Sequence, residues 1–313
     1  MDKYYIGGVI VMKTLEDIIK KAQAQDKMTL AVAAAHEPEV LKAVVDAKEH
    51  GIISPILIGD KNKIENIAIS KEINLDECTI INTPDLEESA MEAVKKVSCG
   101  EADFIMKGLV DTPTLLRAVL NKEEGLRTGN LLSHVMVYEI PNYHKLLFLT
   151  DGGMNIAPTL EEKKGILGNA IVAARAILDS DHIKISCLAA NEKVSKKMQA
   201  TVDGDKLKYL AQQGYFGDDI IVEGPIAFDL AISKNAAKIK GFKSPVAGES
   251  DIILVPTIEV GNGIGKALSY FANGKSAGII MGAKVPVVLV SRADDAVTKL
   301  NSIALGSAIA ATL

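Results

Sequence analysis

Ser291, Arg292, Asp294 and Asp295 have the types and the spacing for acid–base and anion chemistry. They follow directly on VPVVLV (285–290), a valine- and leucine-rich run broken only by Pro286. A hydroxyl donates or accepts a hydrogen bond, a guanidinium grips two coplanar oxygens, and a carboxylate takes up a proton. One of the two aspartates has a simpler use, because a carboxylate at a helix start caps free N–H groups and complements the dipole. Two aspartates exceed what one cap requires, and Arg292 sets a fixed cation beside them.

Three further polar clusters fall where predicted strands end: Lys107-Gly108, Asp151 to Asn155, and Gly261 to Lys266. The last, in VGNGIGKA, is not a nucleotide loop. Its glycines are spaced GxGxG rather than GxGxxG, and Lys266 is followed by Ala267 where a Walker motif has Ser or Thr. NGKS (273–276) also fails, with Ser269 in place of the first glycine. What remains is a flexible turn opening a helix, with Lys266 in its first turn. That suits a phosphate or carboxylate, and it equally suits a connector with a solvated lysine. Lys234, Lys238, Lys240 and Lys243 read as the solvated face and C-terminal end of one helix. Among the five histidines only His36, ending an apolar run, is a candidate for a cleft, and no metal-ligand pattern is present.

The elements that must position these groups alternate regularly. Short apolar runs such as TLAVAAA (29–35), SPILIG (54–59) and DFIMKG (103–108) lack polar alternation and are separated by amphipathic stretches. That pattern predicts parallel sheets covered on both faces. Pro38 opens one predicted helix and Gly51 stops it. SHVMVYEI and KLLFLT flank the turn PNYH, which predicts an antiparallel excursion. After VPVVLV an amphipathic helix is expected from about 294 to 312. The reading is two α/β domains, one of residues 1–140 plus 285–313 and the other of 141–284, with a cleft between them. Residues 1–11 are set apart as an extension or an upstream start.

The totals bound the function. The 313 residues are 48% hydrophobic and 24% charged, as in soluble globular proteins, and only 4% aromatic. A net charge of −5 gives no electrostatic basis for nucleic acid or an anionic membrane surface. The N-terminal apolar run is too short to span a membrane and lacks the features of a signal peptide. Cys78, Cys99 and Cys187 form no CxxC, which points to buried thiols in a reducing cytoplasm.

At larger scale the chain resembles the phosphotransacylases, the phosphate acetyl- and butyryltransferases. The likeness rests on SPVAGESDIILVPTIEVGNGIGKAL, the spacing to VPVVLVSRADD, EGPIAFDLAI (223–232) and KGLVDTPTLLRAVL (107–120), in order over nearly the whole chain. TDGGMNIAPTLEEKKGILGNAI (150–171) is closer to the butyryl enzymes, and Gly265 stands where the acetyl enzymes have Tyr. The resemblance implies an α/β fold of the isocitrate and isopropylmalate dehydrogenase type, and a homodimer or higher homo-oligomer. It implies reversible transfer of a short acyl group, butyryl or alternatively acetyl, between coenzyme A and inorganic phosphate, with the acyl phosphate as the other substrate. Coenzyme A is then a substrate, with no permanently bound cofactor or metal. Carried onto this sequence, Asp295 deprotonates the thiol, Arg292 holds the phosphate, and Ser291 bonds near the reacting sulfur or carbonyl. The shorter ADD leaves Asp294 as the alternative base. Lys107, Ser133, Asn155 and Lys266 are candidates for phosphate or coenzyme A contacts. Two rivals are a metal-dependent hydroxy-acid dehydrogenase and a non-catalytic two-lobed binding protein.

Overall fold

Strands buried on both faces set the plan of the molecule. The computed structural model describes residues 5–6, 9–10, 12–291 and 294–313. A short antiparallel hairpin, β1 (Tyr5–Ile6) and β2 (Val9–Ile10), comes first. Then follow α1 (Leu15–Gln23), β3 (Met28–Ala33), α2 (Pro38–Glu49), β4 (Ile53–Gly59), α3 (Lys61–Lys71) and β5 (Thr79–Asn82). Next are α4 (Leu86–Ser98), β6 (Phe104–Lys107) and α5 (Thr112–Val119). The pair β7 (Ser133–Glu139) and β8 (Leu147–Thr150) leads to α6 (Leu160–Ile177), β9 (Ile183–Leu188), α7 (Gln199–Gln212) and β10 (Ile220–Ile226). After these come α8 (Phe228–Ile232), α9 (Lys234–Lys240), β11 (Ile252–Leu254) and α10 (Ile258–Tyr270). β12 (Lys275–Met281), β13 (Val287–Val288) and α11 (Ala296–Ala310) are the last three.

The chain separates into two compact units. A split unit combines Leu15–Asn130 with Ser276–Leu313, and the other unit joins the segment ending at Thr14 to the inserted stretch Leu131–Lys275. The boundaries read from sequence, after residue 140 and before 285, instead fall at the end of β7 and beyond β12. β7 goes with the inserted unit because it pairs antiparallel with β8, Met136 opposite Leu149 and Tyr138 opposite Leu147.

In the split unit the strand order is β12-β13-β6-β3-β4-β5. β13, β6, β3, β4 and β5 run parallel, and β12 is antiparallel to β13. All four residues of β6 are buried, so both faces are covered. Helices α1, α2 and α11 pack together on one side, while α4 lies on β3, β4 and β6 with α5 beside it. The predicted start of α2 holds: Pro38 is in its first turn and Glu37 caps it. α11 departs from the amphipathic expectation, since every residue from Asn301 to Ile309 is buried. Gly306 permits this, because a Cβ there would lie 2.8 Å from Val288 and 3.0 Å from Phe104.

In the inserted unit the order is β10-β9-β11-β8-β7, parallel except for β7. α8 and α10 share a core with Leu147, Leu149, Leu188 and Ile253, and α6 packs on β7, β8, β9 and β11. The stretch PIAFDLAISKNAAK, expected as one helix, gives Pro225 and Ile226 to β10 and then two short helices broken at Ser233. No helix among the described residues is long and apolar enough to cross a membrane.

Candidate active site

β13 is only two residues long, yet it lies between β12 and β6, with Val287 opposite Ile105 and Val288 opposite Met106. The chain past it therefore emerges beside the chain past β6, at the carboxyl ends of parallel strands. Ser291 is exposed there. Its amide donates to Asp294 Oδ2 at 2.8 Å. Asp295 caps α11, accepting from the Thr298 amide at 2.8 Å, so the capping use foreseen for one aspartate falls to this residue. The Thr298 amide, outweighing burial, holds the Asp295 carboxyl below the ordinary aspartate range. Arg292, expected to hold phosphate, lies outside the described residues.

Lys107 ends β6 and is buried, with its Nζ donating to the carbonyls of Gly108 at 3.0 Å and Val110 at 3.1 Å. Lys107 and Ser291 line one cavity of about 130 Å³, together with Glu37, Val40, Gly108, Leu109, Val290 and Lys299. Gly108 is needed where the walls meet, because a Cβ on it would come within 2.8 Å of the Ala33 and Ala34 backbone. Sequence reasoning had not marked Glu37 or Lys299. Lys299 is buried in α11, and its ammonium donates to the Asp294 carbonyl, tying Asp294 to the helix. The available signal was its spacing, one helical turn beyond Asp295.

Ser133, Asn155 and Lys266 belong to the inserted unit. Ser133 is buried and its Oγ accepts from Asn169 Nδ2 at 2.9 Å. Asn155 is one of several donors gathered around a buried carboxylate, that of Asp151. Asp151 accepts from the amides of Gly153 (2.8 Å), Met154 (2.9 Å) and His134 (3.2 Å), and from Asn155 Nδ2 at 2.6 Å. Asn155 Nδ2 also reaches the Leu132 carbonyl, so Ser133 and Asn155 brace neighbouring stretches of one loop pair.

Lys266 is placed differently from expectation. The glycine-rich stretch is not a turn but the body of α10, and Lys266 stands exposed in mid-helix, 5.9 Å from the Tyr270 ring. Contacts override the low helix propensity of glycine here. A Cβ on Gly261 would lie 2.6 Å from Gly152 Cα, and one on Gly265 would lie 2.5 Å from the Tyr138 hydroxyl. The glycines thus seat α10 against the Asp151 loop and β7.

The remaining candidates have structural surroundings. His36 is buried against Gly59, and burial, then the Lys63 ammonium, push its imidazole below the ordinary range. Burial pushes the Cys187 thiol up to about 12, which keeps it unreactive at neutral pH. Lys240 pairs with Asp229 at 2.8 Å, and Lys234 pairs with Glu249.

Fold and site together define an α/β protein with a polar turn and a small cavity at its strand ends, and comparison with known proteins supplies the family. Two overlapping segments, residues 13–95 and 83–307, match the family described as phosphate acetyl/butaryl transferase. A phosphate butyryltransferase of Clostridium acetobutylicum is 43% identical over 300 residues, covering 96% of this chain and 99% of that one. A probable phosphate butyryltransferase of Bacillus subtilis is 46% identical, covering 93% and 96%. A branched-chain phosphotransacylase from Enterococcus faecalis V583, solved by crystallography, superposes with a TM-score of 0.79 at 34% identity, covering 90% and 99%. The chain belongs to the phosphate acetyl/butaryl transferase family.

Proposed function

We propose that the protein transfers a short acyl group, butyryl in preference to acetyl, between coenzyme A and inorganic phosphate. The observation that carries the reading is the position of Ser291, Asp294 and Asp295 past the carboxyl end of β13. Ser291 bonds Asp294, the Lys299 ammonium holds the Asp294 carbonyl, and Asp295 starts α11.

A thiol with a pKa of about 8.5 is mostly protonated at neutral pH, so a carboxylate placed to take its proton raises the thiolate fraction. In the direction of thioester synthesis, Asp295 removes the thiol proton and the thiolate attacks the carbonyl carbon of the acyl phosphate. The carbon–sulfur bond forms, the bond from carbonyl carbon to bridging oxygen breaks, and phosphate leaves with the electron pair. Arg292 pairs with the phosphate oxygens, and Ser291 donates toward the reacting carbonyl. Asp294, whose Oδ2 accepts the Ser291 amide, is the second choice of base. The acyl phosphate is already activated, so positioning and charge suffice.

Lys107 contributes a fixed positive charge behind Ser291. Ser133 and Asn155 shape the loop beside β8, and Lys266 offers an exposed cation to a phosphate of coenzyme A. We infer a cytoplasmic enzyme and a homodimer, the first supported by three free cysteines. The dehydrogenase and non-catalytic readings find no support in the family match.

The test is thioester absorbance with acetyl, propionyl, butyryl and isobutyryl phosphate. Butyryl phosphate is expected to turn over faster than acetyl phosphate, and Arg292→Ala to lose about a hundredfold or more in kcat/KM, the scale of a lost charge contact in the transition state. Thioester formation in Arg292→Ala at the wild-type rate would remove Arg292 from the mechanism. Light scattering on a sizing column measures the subunit count.

A further inference from the structure

The cavity beside Ser291 sits at a topological switch point of the split unit. The chain runs outward from β3 to β4 and β5, then returns on the other side of β3 as β6. A crevice opens between such strands at their carboxyl ends, and ligands bind there. Glu37 and Val40 follow β3, Lys107 to Leu109 follow β6, and Val290 and Ser291 follow β13, so the lining comes from these strand ends plus Lys299 of α11.

The volume of about 130 Å³ is close to that of an engineered apolar cavity of ~150 Å³ that binds benzene, which gives room for roughly four carbons. Val40 and Val290 are buried in its wall, and Leu109 stands exposed at its rim. Both lysines have their ammonium groups on backbone carbonyls, those of Gly108 and Val110 for Lys107 and that of Asp294 for Lys299. Their methylene stems add to the apolar surface.

An oxyanion is the rival occupant, because helix N-termini at switch points attract phosphates. Here the N-terminus of α2 is already taken. Glu37 places its own carboxylate on the amides of Glu39 (3.3 Å) and Val40 (2.8 Å), so a second anion would meet a fixed negative charge.

We propose that this cavity receives the hydrocarbon tail of the acyl group, with Val40 limiting its depth and Leu109 its rim. The proposal rests on the acyl-transfer reading above and adds the residues that select chain length.

The experiment is a kcat/KM series on the full chain with coenzyme A and acetyl, propionyl, butyryl and valeryl phosphate. Val40→Phe is expected to lower butyryl relative to acetyl by about tenfold or more, the scale of methylene discrimination in an apolar pocket. Leu109→Ala is expected to raise valeryl relative to butyryl, and Val40→Ile, which adds far less volume, to repeat the Val40→Phe effect in milder form. Circular dichroism melting checks that each variant is folded. Unchanged chain-length ratios in both Leu109→Ala and Val40→Ile, with thioester still forming, would overturn the pocket while leaving acyl transfer intact. A raised KM for inorganic phosphate with those ratios unchanged would also overturn it, in favour of an oxyanion. Wild-type protein that forms no thioester from any acyl phosphate would remove the acyl-transfer reading and this proposal with it.

Discussion

Asp295 carries an observed helix cap and the proposed role of base, and substitution can separate the two. Its bond to the Thr298 amide is a helix cap, and that amide is also what keeps the carboxyl below the ordinary range. Asparagine caps nearly as well as aspartate but carries no charge, whereas alanine does neither. Asp295→Asn is therefore expected to melt like wild type while losing most turnover, and Asp295→Ala to lose about 1 kcal/mol of stability in urea titrations as well. Normal turnover in Asp295→Asn would move the base to Asp294. The depressed pKa also fixes a pH window. A carboxyl that ionises below the ordinary 3.8 stays charged throughout the neutral range, so the cap is fully present above that value and is lost only as pH falls through the lowered one. Types and order made Ser291 to Asp295 legible, because a polar cluster directly after a buried run is a local pattern. Glu37 was not legible, because only the folded sheet brings it to one cavity with Ser291, and Lys299 showed only its spacing from Asp295.

At the level of elements, glycine marks where reading by propensity failed. Gly261, Gly263 and Gly265 predict a turn, yet they sit inside α10, and at Gly261 and Gly265 the space a side chain would need is occupied by Gly152 and Tyr138. Gly306 has the same role in α11, where it lets the helix settle onto Val288 and Phe104. Gly306→Ala is expected to destabilise the fold by about 1–3 kcal/mol through overpacking, even though alanine is the better helix former. Urea unfolding measures this, and a stabilised Gly306→Ala would show that the contact yields easily. Periodicity identified the strands and most helices correctly, since burial on both faces leaves a continuous apolar run. It misjudged α11 because small residues, Ser302, Ala304, Ser307 and Ala308, are buried there alongside the aliphatic ones.

Across the whole molecule, acid stability depends on a charge cluster distant in sequence from the Ser291 turn. Around the starts of β8, β9 and β11, Lys145 pairs with Asp251 at 2.6 Å, and Glu249 faces Lys145, Lys184, Lys234 and His144. Burial alone would raise the Glu249 carboxyl, but the hydrogen bonds from Lys234 and His144 and the Lys145 charge outweigh it and hold it at about 2. Its folded pKa lies below the ordinary 4.5, so its contribution is fully present above that value and drains away as pH falls toward 2. The urea midpoint of wild type should thus exceed that of Glu249→Gln near neutral pH and converge with it in acid. A gap independent of pH would mean that packing, not charge, holds the cluster. The alternation of strands and helices and the excursion at 133–150 were plain in the sequence, whereas no local pattern states that Glu249 meets residues a hundred positions away.

The interruption of one unit by the other has a consequence for synthesis on the ribosome. Residues 131–275 emerge as one continuous stretch while the preceding segment still lacks β13 against β6 and α11 against α1 and α2. That earlier segment must wait, with the flank of β6 uncovered, until Ser276–Leu313 arrives. Ser291 and the cavity wall at Val290 and Lys299 travel on that same late stretch, so the cavity is incomplete in a nascent chain until α11 docks.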